Sequence, residues 1–103
     1  MQQSGTCLET IRYDYTVAVT TGAWTELDAA LDATTGWIEL FDSSGQTMEL
    51  GQGPAGSETR ICLVPPGGFA VPRALLLPQG MRLSIRAVSA DATSGELVIN
   101  LLG

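Results

Sequence analysis

The residues of this chain that could carry chemistry are its carboxylates, its arginines, two cysteines and two tryptophans; histidine and lysine are both missing. Without histidine there is no Ser-His-Asp or Cys-His machinery. There is also no imidazole ligand for a metal and no imidazole acid or base. Without lysine there is no Schiff base and no lysine-bearing phosphate loop. Eleven Asp and Glu remain. Paired carboxylates can hydrolyse glycosides, but a chain of 103 residues leaves little room for the extended cleft such substrates need. Asp28 and Asp32 lie near Glu26, and Asp42 falls in a turn. None has the loop spacing by which calcium gathers its oxygens, so they read as a solvated acidic face. The expectation is a protein that is not an enzyme and uses no metal and no cofactor.

Gly51-Gln52-Gly53-Pro54-Ala55-Gly56 matches the dinucleotide pattern GxGxxG. That pattern works only where a strand enters it and a helix leaves it, so that the helix N-terminus meets the pyrophosphate. Here Pro54 sits inside the loop and Pro65-Pro66 follow soon after, so the segment reads as a surface loop. Cys7 and Cys62 could bridge, which would contribute roughly 4 kcal/mol through loop closure. Two cysteines are too few for a disulfide framework, however, and Cys62 between Ile61 and Leu63 fits a buried thiol. Reduced cysteines are expected.

Trp24 and Trp37 have two readings. Exposed, they would be flat stacking platforms for a sugar; buried, they would be core or interface anchors, the commoner use of tryptophan in small β domains. Arg82 and Arg86 share a face with Ser84. They could meet an acidic partner or form ion pairs across the sheet, and the second is the more ordinary use. Arg73 and Leu76 lie on a short apolar segment, Arg73 to Leu77, in which Leu76 points away from Leu75 and Leu77. The candidate interaction residues are therefore Trp24, Trp37, Arg73, Leu76, Arg82 and Arg86.

The elements that must position these residues follow from periodicity. From Thr10 to Thr20, Ile11, Tyr13, Tyr15, Val17 and Val19 alternate with polar neighbours, the pattern of a half-buried strand. Trp37 to Phe41 and Gln46 to Leu50 flank the turn Asp42-Ser43-Ser44-Gly45 and read as a hairpin. Thr59 to Val64 is a strand closed by Pro65-Pro66-Gly67-Gly68. Pro72 limits Arg73 to Leu77 to a short strand suited to an edge. Met81 to Ser89 alternates again, and Glu96 to Leu102 is apolar on both faces. Thr25 to Asp32 permits either a short helix with a capping box or a strand near Trp24 to Leu27. The β character of the rest favours the strand.

The sum is an all-β chain, an antiparallel β-sandwich of about eight short strands, jelly-roll-like. Length fits one domain over residues 10–103, preceded by a flexible N-terminal arm over 1–9. No apolar run approaches a membrane span, and the start shows no basic region followed by an apolar stretch, so neither membrane insertion nor a signal peptide is expected. A net charge of −6 without a basic cluster argues against nucleic acid as a partner. Leu76 and the two-faced final strand exceed the apolar surface one sandwich can bury. Either a subunit interface or an overlying loop would cover the excess.

Several segments carry a resemblance. They are Trp37-Ile38-Glu39-Leu40-Phe41-Asp42-Ser43-Ser44-Gly45-Gln46-Thr47, Gly53-Pro54-Ala55-Gly56-Ser57-Glu58, Pro65-Pro66-Gly67-Gly68, Leu77-Pro78-Gln79-Gly80-Met81-Arg82-Leu83-Ser84-Ile85-Arg86-Ala87 and Thr93-Ser94-Gly95-Glu96-Leu97. Together they resemble a group of small virion structural proteins of tailed bacteriophages, from about Trp24 to the C-terminus. These are turn and strand residues, and no catalytic or ligand residue carries over. The resemblance implies a capsid cement or decoration protein on the virion capsid surface, made in the host cytoplasm. The major capsid protein would be its partner, with a homo-oligomer or self-contacts on the shell. A minor tail or host-recognition component, glycan-binding through an exposed aromatic, is the alternative it leaves open.

Overall fold

The computed structural model describes residues 7–15, 19–32, 35–69, 71–92 and 94–102. These hold eight strands: β1 (Cys7–Tyr15), β2 (Thr25–Asp28), β3 (Thr35–Asp42), β4 (Met48–Gln52), β5 (Thr59–Val64), β6 (Arg73–Leu77), β7 (Leu83–Ala87) and β8 (Gly95–Leu102). They form two antiparallel four-stranded sheets, ordered β1-β8-β3-β6 and β2-β7-β4-β5. There is no helix among the described residues. The chain is an all-β sandwich.

One rule generates both sheets. β1 pairs with β8, β2 with β7, β3 with β6 and β4 with β5, as if one long hairpin had been rolled onto itself. The joins β3·β8 and β4·β7 then complete the two sheets. This corrects the hairpin expected across Asp42-Ser43-Ser44-Gly45. The turn is there, with Gly45 at φ 80°. It carries the chain from one sheet to the other, so β3 and β4 do not pair. Alternation specifies which face a strand buries, not which strand lies beside it.

The core lies between the sheets. Ile38 and Leu40 of β3, Leu97 and Ile99 of β8, Met48 and Leu50 of β4, and Leu83 and Ile85 of β7 are fully buried in one cluster. Every second residue faces inward because the pleat has period two. Each such side chain contributes roughly 1.5–3 kcal/mol through removal from water.

β1 begins at Cys7, ahead of Thr10, because its pairing extends to Cys7 opposite Leu102. Residues 1–6 of the expected arm lie outside the described residues, as does Val17 of the expected long strand. Val19 is described and bridges Ala92. Thr25–Asp28 is a strand, so the helical alternative over Thr25 to Asp32 does not form. β6 is an edge strand and follows Pro72 directly.

Candidate interaction surfaces

Trp24, Arg82 and Arg86 come together on the outer face of the β2-β7-β4-β5 sheet. Glu49 lies opposite Arg86 and Gly51 opposite Ser84, while Leu50 and Ile85 between them point into the core. Gly51 has no side chain there, and the indole of Trp24 fills the space. A Cβ on Gly51 would stand 2.6 Å from the Trp24 ring. The Arg86 guanidinium stacks on the same indole, 4.3 Å from a ring centroid. Trp24 is half-buried in this packing, so its position is that of an anchor rather than of an open sugar platform.

The arginines are tied down within the sheet. Glu49, nearly buried, accepts hydrogen bonds from Arg60 Nε and Arg86 Nε, each at 2.9 Å. Arg82 Nε donates to Glu26 at 2.7 Å, and its Nη1 donates to Glu58 and to the Gly53 carbonyl, both at 3.0 Å. Hydrogen bonds to Glu26 and Glu58 raise the pKa of Arg82 against the opposing effect of burial. Burial works against ionisation of Glu58. Its own backbone amide, the Arg82 guanidinium and the Gly56 amide outweigh that and hold its carboxyl below the usual value. The glycine-rich loop is thus pinned to the sheet by Arg82. A turn closed by Ser57 N donating to Pro54 O shapes it, and β5 follows it where a nucleotide site would need a helix. An open groove beside the loop is lined by Gln52, Pro54, Thr59, Met81 and Arg82.

Trp37, Arg73 and Leu76 belong to the other sheet. Trp37 is half-buried opposite Ala74 at the β3·β6 join. Leu75 and Leu77 face the core, and Leu76 stands outward at 68% exposure. Val71, just before β6, is 65% exposed, and Phe41 on β3 is 43% exposed. Arg73 lies over the Phe69 ring, 4.3 Å from its centroid, and makes no ion pair among the described residues. The structure therefore divides the six candidates between the two sheets, Trp24, Arg82 and Arg86 at one and Trp37, Arg73 and Leu76 at the other.

Sequence reasoning singled out Cys62 as a buried thiol but not the other buried polar groups, and it read Asp42, which is buried, as solvated. Tyr15 Oη donates to Asp42 Oδ1 at 2.5 Å, and Ser44 Oγ donates to the same carboxylate. The phenol reaches Asp42 by crossing Gly95, where a Cβ would stand 2.5 Å from the hydroxyl. Tyr13 Oη donates to Asp28 at 2.8 Å. Burial first, and the carboxylate partners second, push both phenols well above their ordinary pKa. Ser84 Oγ is buried without a hydrogen-bond partner among the described residues. Cys62 is a free thiol raised to about 11 by burial, with Arg73 acting the other way; the side chain of Cys7 lies outside the described residues. A clue to Tyr15 and Asp42 existed in the inward phase of Tyr15, but no local pattern reveals a partner on another strand.

Among the described residues no group of three or more His, Cys, Asp or Glu is placed to hold a metal ion. No protein-family model, no curated protein and no solved structure matches the chain.

Proposed function

We propose that this chain is a structural virion protein of a tailed bacteriophage. In this reading it is a capsid cement or decoration protein that binds across shell subunits. The observation that carries the proposal is the outward apolar surface at the β6 edge, Leu76 at 68% and Val71 at 65% exposure, on a chain without histidine or lysine. An exposed apolar patch on a small domain marks a binding surface. We read the rolled-hairpin pairing as jelly-roll connectivity, an architecture used by viral capsid and lectin domains. That is a likeness of fold, and function rests on the surface. Arg60, Arg82 and Arg86 are consumed by internal ion pairs, which leaves an acidic exterior that discourages particle aggregation.

The mechanism is linkage. A protein that binds only the assembled lattice stabilises that lattice by mass action, and repetition over a symmetric shell multiplies a shallow contact. The test adds purified chain to shells stripped of it and follows thermal rupture. Saturable binding with a higher rupture temperature supports the proposal. Shells that neither bind the chain nor gain stability refute it. Arg86 packs on the Trp24 indole, so a sugar could stack on that face of the ring only by displacing it.

A further inference from the structure

We propose that the shell subunit meets this chain with an extended segment, apolar and acidic, laid along β6 with its carboxylate on Arg73. This rests on the capsid reading and names what the shell must present there. β6 and β5 are the outer strands of the two sheets on one side of the sandwich. On the other side, Tyr13 of β1 ties to Asp28 of β2 across the sheets. Across the β5–β6 side no ion pair is formed among the described residues. Ile61 and Cys62 of β5 and Leu75 of β6 are only partly buried there, at the rim of the core. Arg73 is close enough to Cys62 to act on its thiol. Leu63, Val71 and Leu76 add exposed apolar surface on the same two edges.

The phase of β6 sets what the segment must carry. Arg73, Leu75 and Leu77 share the inward phase, with Leu77 buried, Leu75 partly buried and Arg73 exposed at the end of the row. An extended segment beside them matches that period of two. It places apolar side chains opposite Leu77 and Leu75 and an Asp or Glu opposite Arg73. Charge selects a different chain as the occupant. Arg73 is the one arginine that forms no ion pair among the described residues, and from Thr59 to Ala90 the chain has no carboxylate to offer it. Most carboxylates elsewhere in the fold are already held: Glu26 and Glu58 by Arg82, Glu49 by Arg60 and Arg86, Glu96 by Arg12, and Asp42 by Tyr15. Asp14 is exposed, but on the outward phase of β1, so a second copy that continued the sheet would not bring it to Arg73.

Shells stripped of the chain test this with the full chain and two variants. Arg73→Glu should weaken binding about tenfold or more, and Arg73→Lys only a few-fold, since it keeps the charge without the planar fork. In the bound parent chain, iodoacetamide should alkylate Cys62 several-fold more slowly than in the free chain, read by peptide mass mapping, because the segment covers the opening beside it. Circular dichroism checks folding; if Arg73→Glu fails to fold, the Cys62 comparison on the parent chain decides. A parent chain that binds shells with Cys62 as reactive as when free overturns the proposal and leaves the capsid reading standing. So does an Arg73→Glu variant that binds like the parent. Self-association of the free chain, lost in Arg73→Glu and read by sedimentation velocity, would make a second copy the occupant and overturn it too. A parent chain that does not bind shells removes the capsid reading, and this proposal with it.

Discussion

The guanidinium of Arg86 lies 4.3 Å from a ring centroid of Trp24, and the same indole occupies the place where a side chain on Gly51 would be. One tryptophan thus covers Gly51 on the outer face of the sheet, beside the Glu49 ion-pair cluster that Arg86 joins. Removing it uncovers Gly51 and unstacks Arg86.

The first prediction is a coupling between Trp24 and Gly51. Trp24→Ala should cost about 2–3 kcal/mol, a part of the penalty for deleting a large aromatic, since the ring is half-buried. Gly51→Ala should cost about 1–3 kcal/mol in the parent chain through overpacking. In the Trp24→Ala background the same change should be neutral or slightly stabilising, because alanine suits a strand interior better than glycine. Urea unfolding of the four proteins measures the cycle.

Glu49 should matter more than its sequence context suggests. Glu49→Gln leaves Arg60 and Arg86 facing a neutral amide, and we expect a loss of about 1–2 kcal/mol, limited by the exposure of both guanidiniums. The same unfolding assay reads it. A variant as stable as the parent would show that solvent already screens the cluster.

The two tyrosines make a prediction at high pH. Both phenols have their folded pKa raised above the ordinary value of about 10. The stability they contribute is therefore complete below pH 10 and is lost as pH rises from there toward their folded values. Phenolate absorbance should stay low through pH 10 in the folded protein and appear on unfolding. Tyr13 and Tyr15 are the only tyrosines, so the signal has no background from others.

Glu58 gives the opposite limb. Its folded pKa is lowered from 4.5. Its contribution is present above that value and disappears as pH falls through the folded one. Glu58→Gln should therefore flatten the loss of stability below pH 4.5, measured as midpoint against pH.

Much of the fold is written locally. The alternation of Ile11, Tyr13 and Tyr15, of Leu83, Ile85 and Ala87, and of Leu97, Ile99 and Leu101 marks their strands and inward faces, and Pro72 marks β6 as an edge. Pairing is not local. Nothing in Thr35 to Asp42 says that β8 and β6, rather than β4, lie beside it, and the hairpin expectation failed for that reason. The candidate residues were chosen by type, which identified Trp24 and the arginines. Gly51 and Gly95 stayed invisible because their role is to be crossed by a distant aromatic ring. Glu49 alternates outward with Met48 and Leu50 inward, so its burial depends on Arg60 and Arg86 arriving from two other strands.

Ser84→Ala offers a check of a different kind. The Ser84 hydroxyl is buried with no partner among the described residues. Burying an unsatisfied hydroxyl costs free energy, so its removal should leave stability unchanged or raise it by up to about 1 kcal/mol. A clear loss in thermal midpoint would mean that the hydroxyl has a hydrogen-bonding role.

The most direct test of the proposed function is quantitative mass spectrometry of purified phage particles, comparing the copy number of this chain with that of the major shell protein. We predict copies comparable to the shell protein, as a lattice-wide fitting requires. A few copies per particle would contradict the capsid assignment, and absence from particles would contradict the virion role altogether.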